Sequence, residues 1–392
     1  MSEFFDTPLS DVITIQNDKK AQLKTSEYQS TGILSIIDQS SKFICGYTDD
    51  VSKKYSKCLP VIVFGDHTLN TKYIDFNFAL GADGTQVIKT QNPHHEHKYL
   101  YYVISREILI MGSEGYKRHL KILKERVVPF SKNVPEQKKI ASILTSVDEV
   151  IEKTQSQIDK LQDLKKATMN ELLTKGIGHT EFKDSALGRI PKSWEVKPLA
   201  KVCEVSSSKR VMQSDYVDEG VPFYRSKEII LKSKGEKVQS VLYIPEEQFL
   251  NLASKFDAPA RGDILITAVG TIGVCYLVGQ EKFYFKDGNL LWLKKINKLI
   301  PSFLLVFLSN QNTRERIIEI SGGSSQSALT IEKLSDFLVP IPSQYEQDKF
   351  SKIAKSLDER INSQKQKLSQ TQSLKKSLMQ DLLTGKVRVS IE

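Results

Sequence analysis

Cysteine is scarce in this sequence: 392 residues hold four, Cys45, Cys58, Cys203 and Cys275, far apart and with no CxxC pair. Neither a disulfide framework nor a common zinc arrangement is implied, which fits a reducing cytoplasm. No apolar run approaches the roughly 20 residues that span a bilayer, so no membrane role is expected. The N-terminus, Met1-Ser2-Glu3-Phe4-Phe5-Asp6, lacks the basic start of a secretory signal. There is no GxxxxGK[ST] phosphate loop, and no Asn-Pro-Pro-Tyr or Asp-Pro-Pro-Tyr motif of an amino-methyltransferase. Histidines are few, and His94-His95-Glu96-His97 follows Asn92-Pro93, so it reads as a solvated turn without the HExxH spacing of a metal site. Asp263 with the distant Gln280-Glu281-Lys282 matches a nuclease pattern only as often as chance would. No catalytic or metal site is expected.

Charge of one sign is also thin. The net charge of +9 mildly favours an anionic partner. Residues 1–135 carry 17 basic and 15 acidic residues, and residues 177–338 carry 22 and 19. The excess is spread out, so charge alone does not locate a nucleic-acid face.

What the chain does have is a repeat. Glu136-Gln137 through Leu172-Leu173-Thr174 recurs as Glu346-Gln347 through Leu382-Leu383-Thr384, with about 16 of roughly 39 positions identical and no gap. Apolar residues recur at Ile140, Leu144, Val147, Ile151, Ile158, Leu161 and Leu172. The second copy places Phe350, Ala354, Leu357, Ile361, Leu368 and Leu382 on the same register, with Leu378 where the first has Thr168. Spacings of four and three make a coiled-coil seam. Polar residues interrupt it at Thr154 and Gln364, and at Lys165 and Lys375; these cost stability and can fix register. Helices of this length need a partner for their apolar face. Pairing of the two copies within one chain is favoured by their high effective concentration, with homodimerisation as the alternative. A closed two-fold repeat makes them antiparallel.

The predicted order is a globule at residues 1–135, a helix at 136–176, a globule at 177–338, then a second helix and tail at 339–392. The fold class is therefore α/β: two mixed α/β domains separated by two long antiparallel helices forming an intramolecular, pseudo-two-fold coiled coil. Apolar runs such as Val61 to Phe64 and Ile264 to Val269 read as buried strands, and Gly273 to Val278 as a hairpin partner of the second run. Pro301 to Leu308 reads as a helix with proline near its start. The tail Val387-Arg388-Val389-Ser390 is expected to add a strand to a globule.

The connector carries a specific signature. Phe182-Lys183-Asp184-Ser185-Ala186-Leu187-Gly188-Arg189-Ile190-Pro191-Lys192-Ser193-Trp194, leading into Lys197-Pro198-Leu199, resembles the domain entry of type I restriction-modification specificity subunits. Val339-Pro340-Ile341-Pro342 before Glu346-Gln347 agrees with that family, as do Leu382-Leu383-Thr384-Gly385-Lys386 and Gly322-Gly323-Ser324-Ser325-Gln326-Ser327-Ala328-Leu329-Thr330. The resemblance covers the whole chain, except that the first globule begins at Phe4-Phe5-Asp6-Thr7-Pro8-Leu9 without the Trp-containing entry.

The resemblance implies a non-catalytic, cytoplasmic DNA-recognition subunit. Each globule would be a target recognition domain reading one half of a bipartite site in double-stranded DNA, and the helices would set the gap. Two methyltransferase subunits, joined by restriction subunits in the full complex, would bind S-adenosylmethionine, ATP and Mg; this chain would bind no cofactor. DNA contacts are expected from polar and basic loops. In the first globule these are Lys42, Tyr47, His67, Thr68, Asn70, Lys72, Lys117, Arg118 and His119. In the second they are Ser207, Ser208, Lys209, Arg210, Tyr224, Arg225, Lys227, Thr271, Ser324, Ser325 and Gln326. Two rivals remain: a tandem protein- or glycan-binding scaffold, which would show no salt-dependent DNA affinity, and a self-contained nuclease-methylase, which would need catalytic motifs.

Overall fold

The computed structural model describes residues 4–81, 83–112, 118–322 and 328–391. The chain divides into two compact units. Unit 1 is Met1–Ser156 with Gln364–Glu392, and unit 2 is Gln157–Ser363. Each unit therefore owns one globule, the start of the long helix that follows it, and the end of the other long helix.

In unit 1 four strands pair antiparallel in the order Ile13–Ile15, Thr85–Thr90, Val61–Gly65, Thr71–Ile74. A second sheet runs Gly46–Thr48, Leu34–Ile37, Phe78–Leu80, with the last two parallel. Phe4–Pro8 pairs with Val127–Ser131, which leads into the first long helix. Val61–Gly65 is buried at every position, which is why its sequence is a continuous apolar run instead of an alternating one.

Unit 2 repeats these pairings strand for strand. Its four-stranded order is Glu204–Ser206, Leu290–Lys294, Ile264–Thr267, Cys275–Leu277, again antiparallel. Its three-stranded order is Leu242–Ile244, Val221–Tyr224, Tyr284–Phe285, and the parallel pair recurs. Glu195–Pro198 pairs with Leu338–Ile341 before the second long helix. Unit 2 adds the hairpin Phe182–Ser185 and Gly188–Pro191. It also inserts helices Ser226–Ser233 and Glu246–Phe256 between strands that shorter loops join in unit 1.

The long helices are Val134–Lys175 and Gln344–Leu382. In unit 1, Ile140, Ala141 and Leu144 share a core with Met379, Leu382 and Leu383 and with Tyr99, Tyr102 and Val103 of the helix His97–Met111. In unit 2, Leu173 and Phe350 join Trp194, Phe303 and Leu304. Each fully buried leucine there contributes roughly 2 kcal/mol. Lys375 pairs with Asp148 at 2.5 Å, and Arg388 with Glu136 at 2.6 Å. Numbers rise along one segment as they fall along the other, so the two run antiparallel within unit 1. Unit 2 does the same: Lys165 meets Asp358 at 2.5 Å, and Ile177 N donates to Glu346 at 3.2 Å.

The repeated Glu-Gln dipeptide closes each unit. Glu136, fully buried, accepts from Ser131 Oγ and Arg388 Nε. Gln137 Oε1 accepts from Glu96 N, at the start of the helix His97–Met111. Glu346 accepts from Trp194 Nε1, His179 Nε2 and Ser343 Oγ. Gln347 Oε1 accepts from Ile300 N, at the start of the helix Pro301–Ser309. The tail corrects one expectation: its described residues form no strand. Arg388 instead stacks its guanidinium over Phe4 at 5.6 Å, and Val389 packs against the unit 1 core. The Arg388–Glu136 ion pair on a buried carboxylate, with these contacts, anchors the tail without a strand among its described residues.

Candidate nucleic-acid interface

In unit 2 the turn Lys286-Asp287-Gly288-Asn289 carries the chain from one sheet to the other, and the neighbouring loops are fastened to it. Gly288 sits at φ +72, a conformation that favours glycine. Ser207 Oγ donates to Leu290 O at 3.0 Å, and Ser208 Oγ to Phe285 O at 2.7 Å. Ser226 Oγ and Ala268 N both donate to Asn289 O. Lys286 N donates to Tyr224 O. Four loops that are distant in sequence therefore meet. Three of them, those of Arg210, Arg225 and Lys286, line a cleft of about 620 Å³ together with Met212, Gln213 and Tyr216, among others.

The cleft's charges are ordered. Arg225 Nε donates to Glu228 Oε2 at 3.1 Å, and its Nη2 to Oε1 at 2.7 Å. The Glu228 carboxylate is buried, while Arg225 remains partly exposed. Burial works to raise the Glu228 pKa, but hydrogen bonds from the Arg225 side chain and backbone outweigh it and hold it below its ordinary value. Arg210 reaches Asp287 at 3.3 Å from an exposed position. Lys286 has no ion pair among the described residues. The cleft offers three cations and a small number of amides, a donor-rich wall suited to phosphate oxygens and base edges.

Of the residues expected in unit 2, Arg210 and Arg225 line this cleft. Lys209 and Lys227 are exposed beside it, Lys209 with its ammonium 4.8 Å over Phe256. Ser207 and Ser208 spend their hydroxyls on the sheet. Tyr224 is buried, its ring 4.9 Å from Phe283. Thr271 is exposed in the turn after Ile264–Thr267, next to a bridge between Val269 and Ala328. Ser324, Ser325 and Gln326 lie outside the described residues.

Unit 1 gathers its loops around Gln39. Thr68 Oγ1 and Asn70 Nδ2 donate to Gln39 O, and His67 N to its Oε1. Gln39 Nε2 donates to Asp83 O. Lys42 is exposed on the same loop, and Tyr47 is half-buried in the strand Gly46–Thr48. Arg118 is exposed, whereas His119 is buried and its N donates to Asp66 O. Lys72 is also buried. Its ammonium donates to Asp38 O and Lys42 O and lies 3.9 Å from the Asp38 carboxylate. Desolvation pulls the Lys72 pKa down. Burial pushes Asp38 up, but hydrogen bonds from Cys45 and Ser40 and the Lys72 charge bring it below its ordinary value. Lys72 and His119 are therefore interior groups supporting the loops. Lys117 lies outside the described residues.

Sequence reasoning did not select Gln39, Tyr216, Glu228, Lys286 or Asp287. Asp287-Gly288-Asn289 is a turn sequence by composition, but only the fold shows that this turn joins two sheets. Three other chemistry-bearing groups, Glu96, His97 and Asp263, are committed locally. Glu96 caps its helix through Lys98 N, and His97 bonds Thr90. Asp263 accepts from Trp292 Nε1 and Ala260 N. Among the described residues no helix is long and apolar enough to cross a membrane.

Over residues 1–163 and 191–372 the chain matches the type I restriction modification DNA specificity domain. The putative type I restriction enzyme MjaX specificity subunit of Methanocaldococcus jannaschii is 31% identical over 301 residues, covering 76% of this chain and 66% of that protein. The MjaVIII specificity subunit of the same organism is 29% identical over 263 residues, covering 65% and 60%. The matches thus span somewhat less than two thirds of those relatives. The EcoR124I/EcoR124II specificity subunit of Escherichia coli is 22% identical over 369 residues, 91% of this chain and 87% of that protein. Among solved structures, the S subunit from M. genitalium superposes with a TM-score of 0.62 at 19% identity, covering 97% and 96% of the two chains. At that identity the likeness is one of fold.

Proposed function

The chain belongs to the type I restriction-modification DNA specificity family, and from that premise we propose that it selects a bipartite DNA site, each unit reading one half. The two long helices pair along their length as an antiparallel, pseudo-two-fold coiled coil that sets the spacing between half-sites. Two methyltransferase subunits dock on this chain and methylate each half, and restriction subunits join them in the full complex. S-adenosylmethionine, ATP and Mg belong to those partners, and this chain supplies recognition without catalysis.

The observation that carries this reading is internal duplication. Both units have the same strand pairings, the same Glu-Gln closure and differing loops at matching positions. A duplicated frame with divergent loops suits two different short sequences at a fixed separation, as half-site spacing follows from protein symmetry in dimeric DNA binders. Methylome sequencing of cells carrying this chain with its methyltransferase partner tests it. The expected result is one two-part motif with a constant spacer, and a single undivided motif would contradict it. The purified chain alone should bind duplex DNA with strong salt dependence and neither methylate nor cut it.

A further inference from the structure

Matching positions in the two units carry opposite charges. In each, the middle strand of the three-stranded sheet, Leu34–Ile37 or Val221–Tyr224, runs parallel to its neighbour and delivers the next residue into the loop cluster. That residue is Asp38 in unit 1 and Arg225 in unit 2. A tyrosine accompanies it each time, following a short helical turn: Tyr28 after Thr25–Glu27, and Tyr216 after Gln213–Asp215. The surroundings then diverge. Asp38 is turned inward, its carboxylate taken by Tyr28, Cys45, Ser40 N and Lys72. Arg225 is turned outward along the cleft wall.

We propose that Arg225 reads a guanine in the half-site served by unit 2, with Glu228 as the residue that positions it, and that unit 1 has closed the equivalent reading position with Asp38. This rests on the reading that each unit serves one half-site. The guanidinium has five N–H donors. Glu228 takes one from Nε and one from Nη2, which fixes the plane of the group. Both hydrogens of Nη1 and one of Nη2 remain as an outward fork. Such a fork matches the O6 and N7 acceptors of guanine in the major groove. A buried carboxylate behind the arginine also removes the rotamer freedom that base contact would otherwise cost. The inserted helix Ser226–Ser233, which unit 1 lacks, is what brings Glu228 to this place.

The test uses the chain assembled with its methyltransferase subunits and duplexes bearing the mapped site. Each base pair of the unit 2 half is replaced singly, and each guanine is exchanged for 7-deazaguanine, which lacks the N7 acceptor. Arg225→Ala should lose discrimination at one G·C pair, by roughly 5- to 150-fold, with the other half-site unchanged. The 7-deazaguanine at that pair should weaken the wild type and leave the variant indifferent. Arg225→Lys, which keeps charge and fold, should restore affinity for DNA in general but not discrimination. Glu228→Gln should blunt discrimination at the same pair only, whereas a merely structural role would affect every pair alike. Arg225→Ala weakening all sequences equally, with the salt slope falling by about one, would make Arg225 a phosphate contact and overturn the proposal. Discrimination left intact at every pair would overturn it too. A chimeric complex that still recognises the original unit 2 half-site after unit 2 is exchanged for that of another family member would instead overturn the underlying reading.

Discussion

Glu136 and Glu346 show how much one residue can organise. Each opens a long helix, and each receives the segment that follows the other helix, through Arg388 in unit 1 and through Ile177 N and His179 in unit 2. Removing a buried carboxylate strands its donors, and hydrogen bonds to charged groups are worth about 1.5–3 kcal/mol. Glu136→Ala should therefore lower the stability of unit 1 by about 3 kcal/mol, read by thermal unfolding; a change within experimental error would remove Glu136 as the closure. Glu346 adds a pH dependence. Burial pushes its pKa up, but hydrogen bonds from His179, Ile177 N, Ser343 and Trp194 more than compensate and hold it below its ordinary value. A carboxyl lowered on folding contributes stability that is complete above about pH 5 and is lost as pH falls through the folded value. Glu346→Gln should thus be less stable at neutral pH yet fall less steeply below about pH 4. Parallel melting curves of mutant and wild type across that range would contradict this. The repeated Glu-Gln was plain in the sequence, but its distant partners, such as Glu96 at 41 positions and Arg388 at 252, appear only in the fold.

At the scale of elements, the long helices were the most legible part, because a seam spaced four and three is a local signal. The polar residues in the seam needed the structure. Lys165 and Lys375 are equivalent in the repeat, and so are Asp148 and Asp358; each lysine meets the aspartate of the opposite helix. The two pairs differ in shelter. Lys375 and Asp148 are about three-quarters buried, with Tyr102 donating to the same carboxylate, while Asp358 is half exposed. Exposed pairs contribute about 0.2–1 kcal/mol, and sheltered charged hydrogen bonds more. Double-mutant cycles should therefore give a larger coupling energy for Lys375–Asp148 than for Lys165–Asp358, and equal or reversed values would refute that ranking. Strands such as Val61–Gly65 and the hairpin of Ile264–Thr267 with Cys275–Leu277 were also readable from apolar runs and turn residues. The loop cluster was not. Ser207 is fastened to Leu290 and Gln39 to Asp83, and contacts at that separation leave no periodicity to read.

For the whole molecule, the proposed division of labour makes the helices a ruler and the globules readers. Four residues inserted near Thr154 lengthen one helix by about 6 Å, so the spacer of the recognised site should change while both half-sites keep their bases. Altered bases with an unaltered spacer would mean the helices are not the ruler. The most direct measurement is the methylome of cells expressing, with its methyltransferase, a chimera whose residues 1–135 come from another family member. Base contacts worth about 1–3 kcal/mol each would be exchanged in one unit only, and phosphate contacts would persist. One half of the methylated motif should be replaced and the other retained; if both halves shift together, the units read DNA jointly and the modular account fails.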